Sequence, residues 1–461
     1  MTAYDAIIVG AGQAGPPLAA RLTGAGMKVA LVERNLVGGT CVNTGCTPTK
    51  ALVASAYAVH LARRADLGVV VPGEVRVDFP RAMARAHLVS ENSRKGVERW
   101  LAGMEGLTLA RGQARFDDAH TLRVGEQSLT APRIFLNVGG RAVIPDMPGV
   151  ADVPFLTSTS ILTLDRLPRH LVVIGGSYVG LEFAQMHRRF GAEVTVVEKG
   201  PRLVGREDED VSQAVREILE SEGIRVRTQA ECIGFARHRD GVEVSLDCRE
   251  GAQSVVGSDL LLAVGRRPNT DDLDPDRAGI ATDARGYIRV DESLATTAPG
   301  VWALGDCNGR GAFTHTSWND YEIVAANLLD GAHRQVKERV AGYALYIDPP
   351  LGRAGMTEAE AGAGGRRVLI GKRPMTRVSR AVEKGETAGF MKIVADADSG
   401  RILGAAILGT GGDEAIHGLL DAIHAGVSRE VLRWAVPIHP TVSELIPTVL
   451  QEMKPAALKR V

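Results

Sequence analysis

The sequence predicts an α/β protein: two copies of a strand, glycine turn, helix and strand, followed by a C-terminal segment of α+β character. Three observations carry this. The first thirty-four residues alternate apolar strand, glycine-rich turn and helix; the same pattern restarts at Leu171; and from about Tyr343 strand-like stretches precede helical ones. At 461 residues the chain is too long for one hydrophobic core, and domains of about 100–200 residues predict roughly three.

In the first unit Ala6–Val9 is apolar, residues 10–15 turn, residues 16–22 begin a helix and residues 29–32 are apolar again. Gly10-Ala11-Gly12-Gln13-Ala14-Gly15 satisfies G-x-G-x-x-G between strand and helix. Gly10 permits the tight turn, Gly12 lets backbone approach a pyrophosphate at the positive helix end, and Gly15 permits close helix–strand packing. Glu33 ends the second strand, where a carboxylate can accept hydrogen bonds from ribose hydroxyls. In the second unit residues 172–174 lead into Gly175-Gly176-Ser177-Tyr178-Val179-Gly180, helix runs through His187, and residues 194–197 end at Glu198. Ser177 stands in place of the middle glycine, which predicts a tighter fit around a phosphate. An acid at Glu198 favours the unphosphorylated ribose of NADH. Lys199, Arg202 and Arg206 follow and could instead receive a 2′-phosphate, so NADPH is the alternative.

Between the units Ile134–Leu136 runs into Val138-Gly139-Gly140, then Pro145 and Pro148-Gly149, the punctuation of a strand ending at a domain crossover. Residues 260–264, Gly265 and Arg266-Arg267-Pro268 repeat it. The apolar run 301–304 ends at Gly305-Asp306 and reads as a buried strand delivering a carboxylate to a turn. Strands are then expected at 367–370, 390–394 and 402–408, and helices at 413–425 and 429–434.

Composition narrows the function. Apolar content of 45%, charged content of 24% and 53 glycines describe a globular protein with many tight turns. A net charge of −1 provides no field to draw nucleic acid or an anionic membrane, so small-molecule partners fit better. No signal-like n-region and no run of eighteen apolar residues occur, which places the protein in the cytoplasm. Five cysteines are too few for a structural disulfide framework in so long a chain, and a cytosolic pair is more often catalytic or redox-sensing.

The stretch Gly38-Gly39-Thr40-Cys41-Val42-Asn43-Thr44-Gly45-Cys46-Thr47-Pro48-Thr49-Lys50 holds two cysteines five apart, just after the first unit. An undistorted helix would separate them by about 500° and about 7.5 Å of rise. A disulfide needs Cα atoms within about 6.8 Å, so a bridged pair requires an irregular turn, which Gly45 can provide. A thiolate at a helix N-terminus is stabilised and can pass electrons on by thiol exchange. Zinc is the rival explanation, but no nearby histidine or third cysteine completes a ligand set. Far downstream His439 precedes Pro440, which favours a turn or extended backbone, and Glu444 can reach back to fix the imidazole tautomer. Of eleven histidines it alone stands in a His-Pro-Thr-x-x-Glu context.

Together, Gly39-Thr40-Cys41 to Lys50, Gly10 to Gly15, Gly175 to Glu182, Gly305-Asp306 and His439-Pro440-Thr441-Val442-Ser443-Glu444 resemble the class I flavoprotein disulfide reductases, which include glutathione reductase, lipoamide dehydrogenase and mercuric ion reductase. The resemblance covers essentially the whole chain. It implies two Rossmann-like domains and a dimerisation domain: an FAD domain at 1–145 returning at 266–338, an NAD(P) domain at 146–265, and a dimerisation domain at 339–461. It implies FAD at Gly10, Gly12, Gly15, Glu33, Gly39, Thr40, Lys50, Gly139 and Asp306, the last on the ribityl chain. The nicotinamide nucleotide falls to Gly175, Gly176, Gly180, Glu198 and Gly265. By the same resemblance Cys46 is the thiolate against flavin, Cys41 the thiol that attacks substrate, and Lys50 with Glu182 the ion pair near flavin N5. His439, oriented by Glu444, is the acid-base group supplied across a homodimer interface.

The implied activity is electron transfer from nicotinamide through FAD to the Cys41–Cys46 disulfide and on to a small disulfide or thiol-reactive acceptor. Residues 313–321 and 346–358 are similar to the mercuric-reductase-like branch. Against a dedicated mercuric ion reductase, the tail lacks a vicinal cysteine pair, His439 is retained, and no metal-binding module precedes Thr2. Reduction of mercuric or another soft-metal ion, an NADH oxidase or quinone reductase, and a redox sensor or complex subunit are the alternatives. Cys232, Cys248 and Cys307 are expected to be bystanders, and Tyr343 and Tyr346 core or interface packing.

Overall fold

The computed structural model describes residues 1–231, 233–246 and 253–456; Cys232 and Cys248 lie outside them. Its centre is a five-stranded parallel sheet in the order Val301–Ala303, Ile134–Leu136, Ala6–Val9, Val29–Glu33, Leu107–Arg111. Ala6–Val9 and Ile134–Leu136 are buried at every residue, as apolar runs without alternation require when both faces of a parallel sheet are covered. Helix α1 (Gly15–Gly24) begins at the end of the glycine turn with prolines in its first turn, where their missing N–H costs nothing. Two helices follow, α2 (Gly39–Thr44) and α3 (Cys46–Arg63), then α4 (Phe79–Ala102), capped by the Asp78 carboxylate on the Arg81 N–H. The 24-residue α4 was not among the expected elements.

The second unit builds a separate parallel sheet, Arg225–Arg227, Glu193–Val197, His170–Ile174 and Asp259–Leu262. Two helices accompany it, α5 (Tyr178–Phe190) and α6 (Glu209–Ser221). The two glycine-proline crossovers turn out to be one structure: Gly140–Ala142 pairs antiparallel with Arg266–Pro268. A mixed sheet around Thr121–Val124, with Thr2–Ala3 parallel at its edge, and an antiparallel sheet around Gly241–Ser245 were likewise not expected. After α7 (Thr314–Leu329) comes a six-stranded antiparallel sheet from Gly342–Leu345 to Lys454–Pro455. The strand expected at 367–370 runs further, Val368–Pro374, and the helix expected at 429–434 is shorter, Arg429–Leu432. Among the described residues no helix is long and apolar enough to cross a membrane.

A buried ionic seam joins the second unit to this last sheet. Arg353, 1% exposed, pairs with Glu207 and lies 3.7 Å from Asp208, while Lys392 contacts Asp208, Asp210 and Glu358 at 3.0, 3.0 and 2.8 Å. Each charge has an opposite partner, which offsets the large cost of desolvating it.

Candidate active site

The cysteine stretch folds as two short helices meeting at a break. Cys41 lies in α2 and Cys46 is the first residue of α3, with Gly45 between them outside helical geometry. A Cβ on Gly45 would stand 2.8 Å from the Thr40 carbonyl oxygen and 3.2 Å from the Cys41 Cα, so only glycine lets the helices approach this closely. The irregular turn demanded by a bridged pair is therefore present. Both thiols are free, and they lie within hydrogen-bonding reach of each other.

Their environments push the two thiols apart. The hydrogen bond from Cys41 lowers the Cys46 thiol to about 6 against the opposing effect of burial, helped by the Thr314 hydroxyl at 3.4 Å and by Lys50. Cys41 moves the opposite way, because its hydrogen bond serves Cys46, burial disfavours its charge and the Cys46 thiolate repels it. In a coupled pair this means one proton held on Cys41 and a thiolate on Cys46. Lys50 follows Cys46 by four residues on the same face of α3 and donates to Glu182 of α5 at 2.6 Å. Glu182 is otherwise buried and accepts the Tyr346 backbone N–H at 3.0 Å.

These groups open onto a cavity of about 1400 Å³, beyond the ~300–1,000 Å³ typical of drug-sized ligands. Gly10, Gly12, Glu33, Gly39, Thr40, Cys41, Cys46, Lys50, Gly139, Glu182 and Asp306 all line it. Gly10 has φ +105°, and a Cβ there would stand 2.2 Å from the Asn137 carbonyl oxygen; Gly175, at φ +113°, would meet the Ala263 oxygen at 2.4 Å. The acids ending the second strands also match. Glu33 accepts the N–H groups of Ala11 and Asn35 at 2.8 and 2.7 Å, and Glu198 those of Gly176 and Gly200, both at 2.6 Å. Each carboxylate is held at the edge of its glycine turn with lone pairs remaining for a ribose. Ser177 takes an extended backbone immediately before α5. Asp306, above the usual carboxylate range through burial although Arg266 lies 3.6 Å away, faces the same cavity. A dinucleotide-sized space, a backbone cradle and a lysine at the thiols make these residues a fit for FAD.

Other residues stand apart. Gly15, Gly175, Gly176, Gly180, Glu198 and Gly265 do not line this cavity. His439 donates through Nδ1 to the Glu444 carboxylate at 2.8 Å, but its side chain is 75% exposed and does not line the cavity of its own chain. Cys307 is fully buried beside Asp306 and its thiol donates to the Leu304 carbonyl at 3.3 Å, with burial pushing it up to about 12. A buried, protonated thiol is a poor nucleophile. Tyr343 packs as expected, stacked on Phe313 and edge-on to Tyr178, and both Tyr343 and Tyr346 also line the cavity. The Tyr343 hydroxyl donates to Glu207, and the Tyr346 ring lies 4.6 Å from the Lys50 ammonium. Thr314 was also missed, since nothing local marks a threonine that opens a helix 268 residues from its partner. Among the described residues no group of three His, Cys, Asp or Glu side chains could hold a metal ion.

Residues 4–320 match the family model of pyridine nucleotide-disulphide oxidoreductases, and residues 342–450 match that of their dimerisation domain. Similar curated proteins include a probable pyridine nucleotide-disulfide oxidoreductase, RclA, of Escherichia coli K12, 36% identical over 96% of this chain and 98% of its own. A dihydrolipoyl dehydrogenase of Thermus scotoductus is 34% identical over 96% of each chain, and a mercuric reductase of Streptomyces lividans 33% over 98% and 96%. Among solved structures, the HOCl-induced flavoprotein disulfide reductase RclA of E. coli superposes with a TM-score of 0.89 at 35% identity, covering 97% of this chain and 100% of that one. Its Cu(II) complex is equally similar, with a TM-score of 0.89.

Proposed function

The chain belongs to the pyridine nucleotide-disulphide oxidoreductase family and is an oxidoreductase of FAD and a pyridine nucleotide; from that premise we propose that it carries electrons from NADH through Cys41 and Cys46 to a small disulfide or thiol-reactive acceptor. The observation that carries the proposal is the thiol pair itself, two cysteines facing each other across the Gly45 break, open to the large cavity and backed by Lys50 and Glu182. FAD, when bound, supplies the two-electron relay between nicotinamide and disulfide.

Gly10, Gly12, Glu33, Gly39, Thr40, Gly139 and Asp306 would hold FAD, with Gly15 closing the helix onto its strand. Gly175, Gly176, Gly180, Glu198 and Gly265 would hold the nucleotide, and Glu198 favours NADH because its carboxylate suits a free 2′-hydroxyl. Two electrons, together with one proton taken up from solvent, cleave the Cys41–Cys46 bond and leave a thiolate on Cys46 and a thiol on Cys41. Once deprotonated, Cys41 attacks one sulfur of an acceptor disulfide, and the first product thiolate leaves and takes up the proton. The Cys46 thiolate then attacks the Cys41 sulfur, restores the internal disulfide and expels the second thiolate. Holding the proton of Cys41 and delivering it to the leaving thiolate is the role we assign to His439, kept in one tautomer by Glu444.

Since His439 does not line the cavity of its own chain, it would serve the partner site of a homodimer. Trp434, Val436 and Ile438, 71%, 96% and 79% exposed just before it, support a covered surface there. The domain boundaries at 145, 265 and 338 belong to the same proposal, as does a cytoplasmic location, where such thiols are kept reduced.

Anaerobic titration of the FAD-loaded protein with NADH and then NADPH tests this. A long-wavelength absorption band that appears with NADH and is lost in Cys46→Ser supports the thiol relay. Flavin bleaching without such a band would reject it in favour of an oxidase or quinone reductase. A second reading is soft-metal reduction, favoured by the exposed thiolate, which suits soft ions, and by similarity to a mercuric reductase and to a reductase solved with Cu(II). NADH oxidation driven by Hg(II) or Cu(II) and abolished in Cys41→Ser would support it.

A further inference from the structure

Tyr346 belongs to the dimerisation segment, between the strands Gly342–Leu345 and Leu351–Gly355, yet it reaches the thiol pair through both halves of one ion pair. Its backbone N–H donates to one oxygen of Glu182 at 3.0 Å, while the other oxygen accepts from Lys50 at 2.6 Å. Its ring sits 4.6 Å from the same ammonium. Lys50 is therefore clamped between a carboxylate and an aromatic face, one helical turn from Cys46. We propose that Tyr346 is a positioning residue, whose ring holds the Lys50 ammonium beside Cys46 and so links the dimerisation segment to the redox centre. The inference rests on taking Cys46 as the reacting thiolate.

Physical chemistry supports the assignment. Lys50 is only about two-thirds buried, and a flexible four-carbon stem leaves it other rotamers. Glu182 alone would accept its proton from several of them, because an ammonium has three equivalent donors. A ring face attracts the cation from a second direction and leaves far fewer positions that satisfy both. The tyrosine hydroxyl has no part in this, since the contact is with the ring. Besides Lys50, the charged groups acting on Tyr346 are Glu182, Cys46, Asp413 and Glu414, and those on Cys46 are Lys50 and Glu182.

The test uses the FAD-loaded protein carrying Cys41→Ser, whose hydroxyl still donates to Cys46. The Cys46 pKa is read from thiolate ultraviolet absorbance against pH, with the Cys41→Ser/Cys46→Ser protein subtracted. Tyr346→Phe keeps the ring and is expected to keep the pKa. Tyr346→pentafluorophenylalanine keeps the shape, so folding is spared, but reverses the charge distribution of the ring. It is expected to raise the Cys46 pKa by about 0.5–1 unit, which is about three- to tenfold less thiolate below the pKa. Adding Lys50→Met should erase the difference between the two ring variants. Equal values for phenylalanine and its fluorinated form, or a difference that survives Lys50→Met, would overturn the inference alone. An ordinary thiol pKa of about 8.5 at Cys46 in the Cys41→Ser parent would overturn the functional reading as well.

Discussion

His187 offers a prediction whose size can be worked from the structure. It lies on α5, the helix that carries Glu182 to the thiols, fully enclosed by the rings of Phe79, Phe183 and Phe190 at 6.0, 6.1 and 6.3 Å. Nδ1 donates to the Phe183 carbonyl at 2.8 Å, and Nε2 is buried with no partner. Burial lowers its pKa to about 4 from an ordinary 6.5. The fold thus prefers the neutral ring: the stability it contributes is fully present above pH 6.5 and is lost as pH falls toward 4. Linkage puts the loss at about 0.2 kcal/mol at pH 7 and about 2 kcal/mol at pH 5. His187→Leu removes the titration, and the Phe183 carbonyl keeps the helical N–H of residue 187 as its partner. Urea unfolding at pH 7 and pH 5 should show wild type losing about 2 kcal/mol more than His187→Leu between the two. His60, His170 and His315, also lowered by burial, are common to both proteins and cancel. Identical pH dependence in the two would refute the argument and mean that the aromatic box admits a charged imidazole or water.

Other perturbations reach the remaining parts of the molecule. Arg353→Met leaves Glu207 buried without its cation and should cost about 3–5 kcal/mol, seen as a large drop in melting temperature. His439→Gln should slow acceptor reduction by about 10²–10⁴-fold while NADH still reduces the thiol pair at near the normal rate, which stopped-flow absorbance separates. Glu198→Ala removes a charged acceptor worth about 1.5–3 kcal/mol, so NADH should bind about ten- to a hundredfold more weakly with little change for NADPH. Unchanged NADH affinity would show that Glu198 serves only Gly176 and Gly200.

Much of this protein was legible because its motifs are local. Gly10, Gly12 and Gly15 between an apolar strand and a helix, and their counterparts at Gly175, Gly176 and Gly180, state their own geometry, since backbone freedom and helix-end polarity depend on neighbours in sequence. The same holds for Cys41 and Cys46, where spacing alone demanded the break that Gly45 makes, and for His439 with Glu444. What the sequence could not disclose is contact between distant segments. Thr314 reaches Cys46, Tyr346 reaches Lys50 and Glu182, and the crossovers at Gly140 and Arg266 pair into one ribbon. Antiparallel pairing and side-chain contact have no periodicity that marks a partner a hundred or more residues away, and a tyrosine in an apolar run looks the same whether it packs in a core or clamps a lysine. The sequence by itself thus determined the fold class and brought out two local pairs, Cys41 with Cys46 and His439 with Glu444. The tertiary structure alone disclosed which distant groups surround the two thiols, Thr314 at Cys46 and Glu182 and Tyr346 at Lys50, because burial and charge at that site are assembled from four separate stretches of chain.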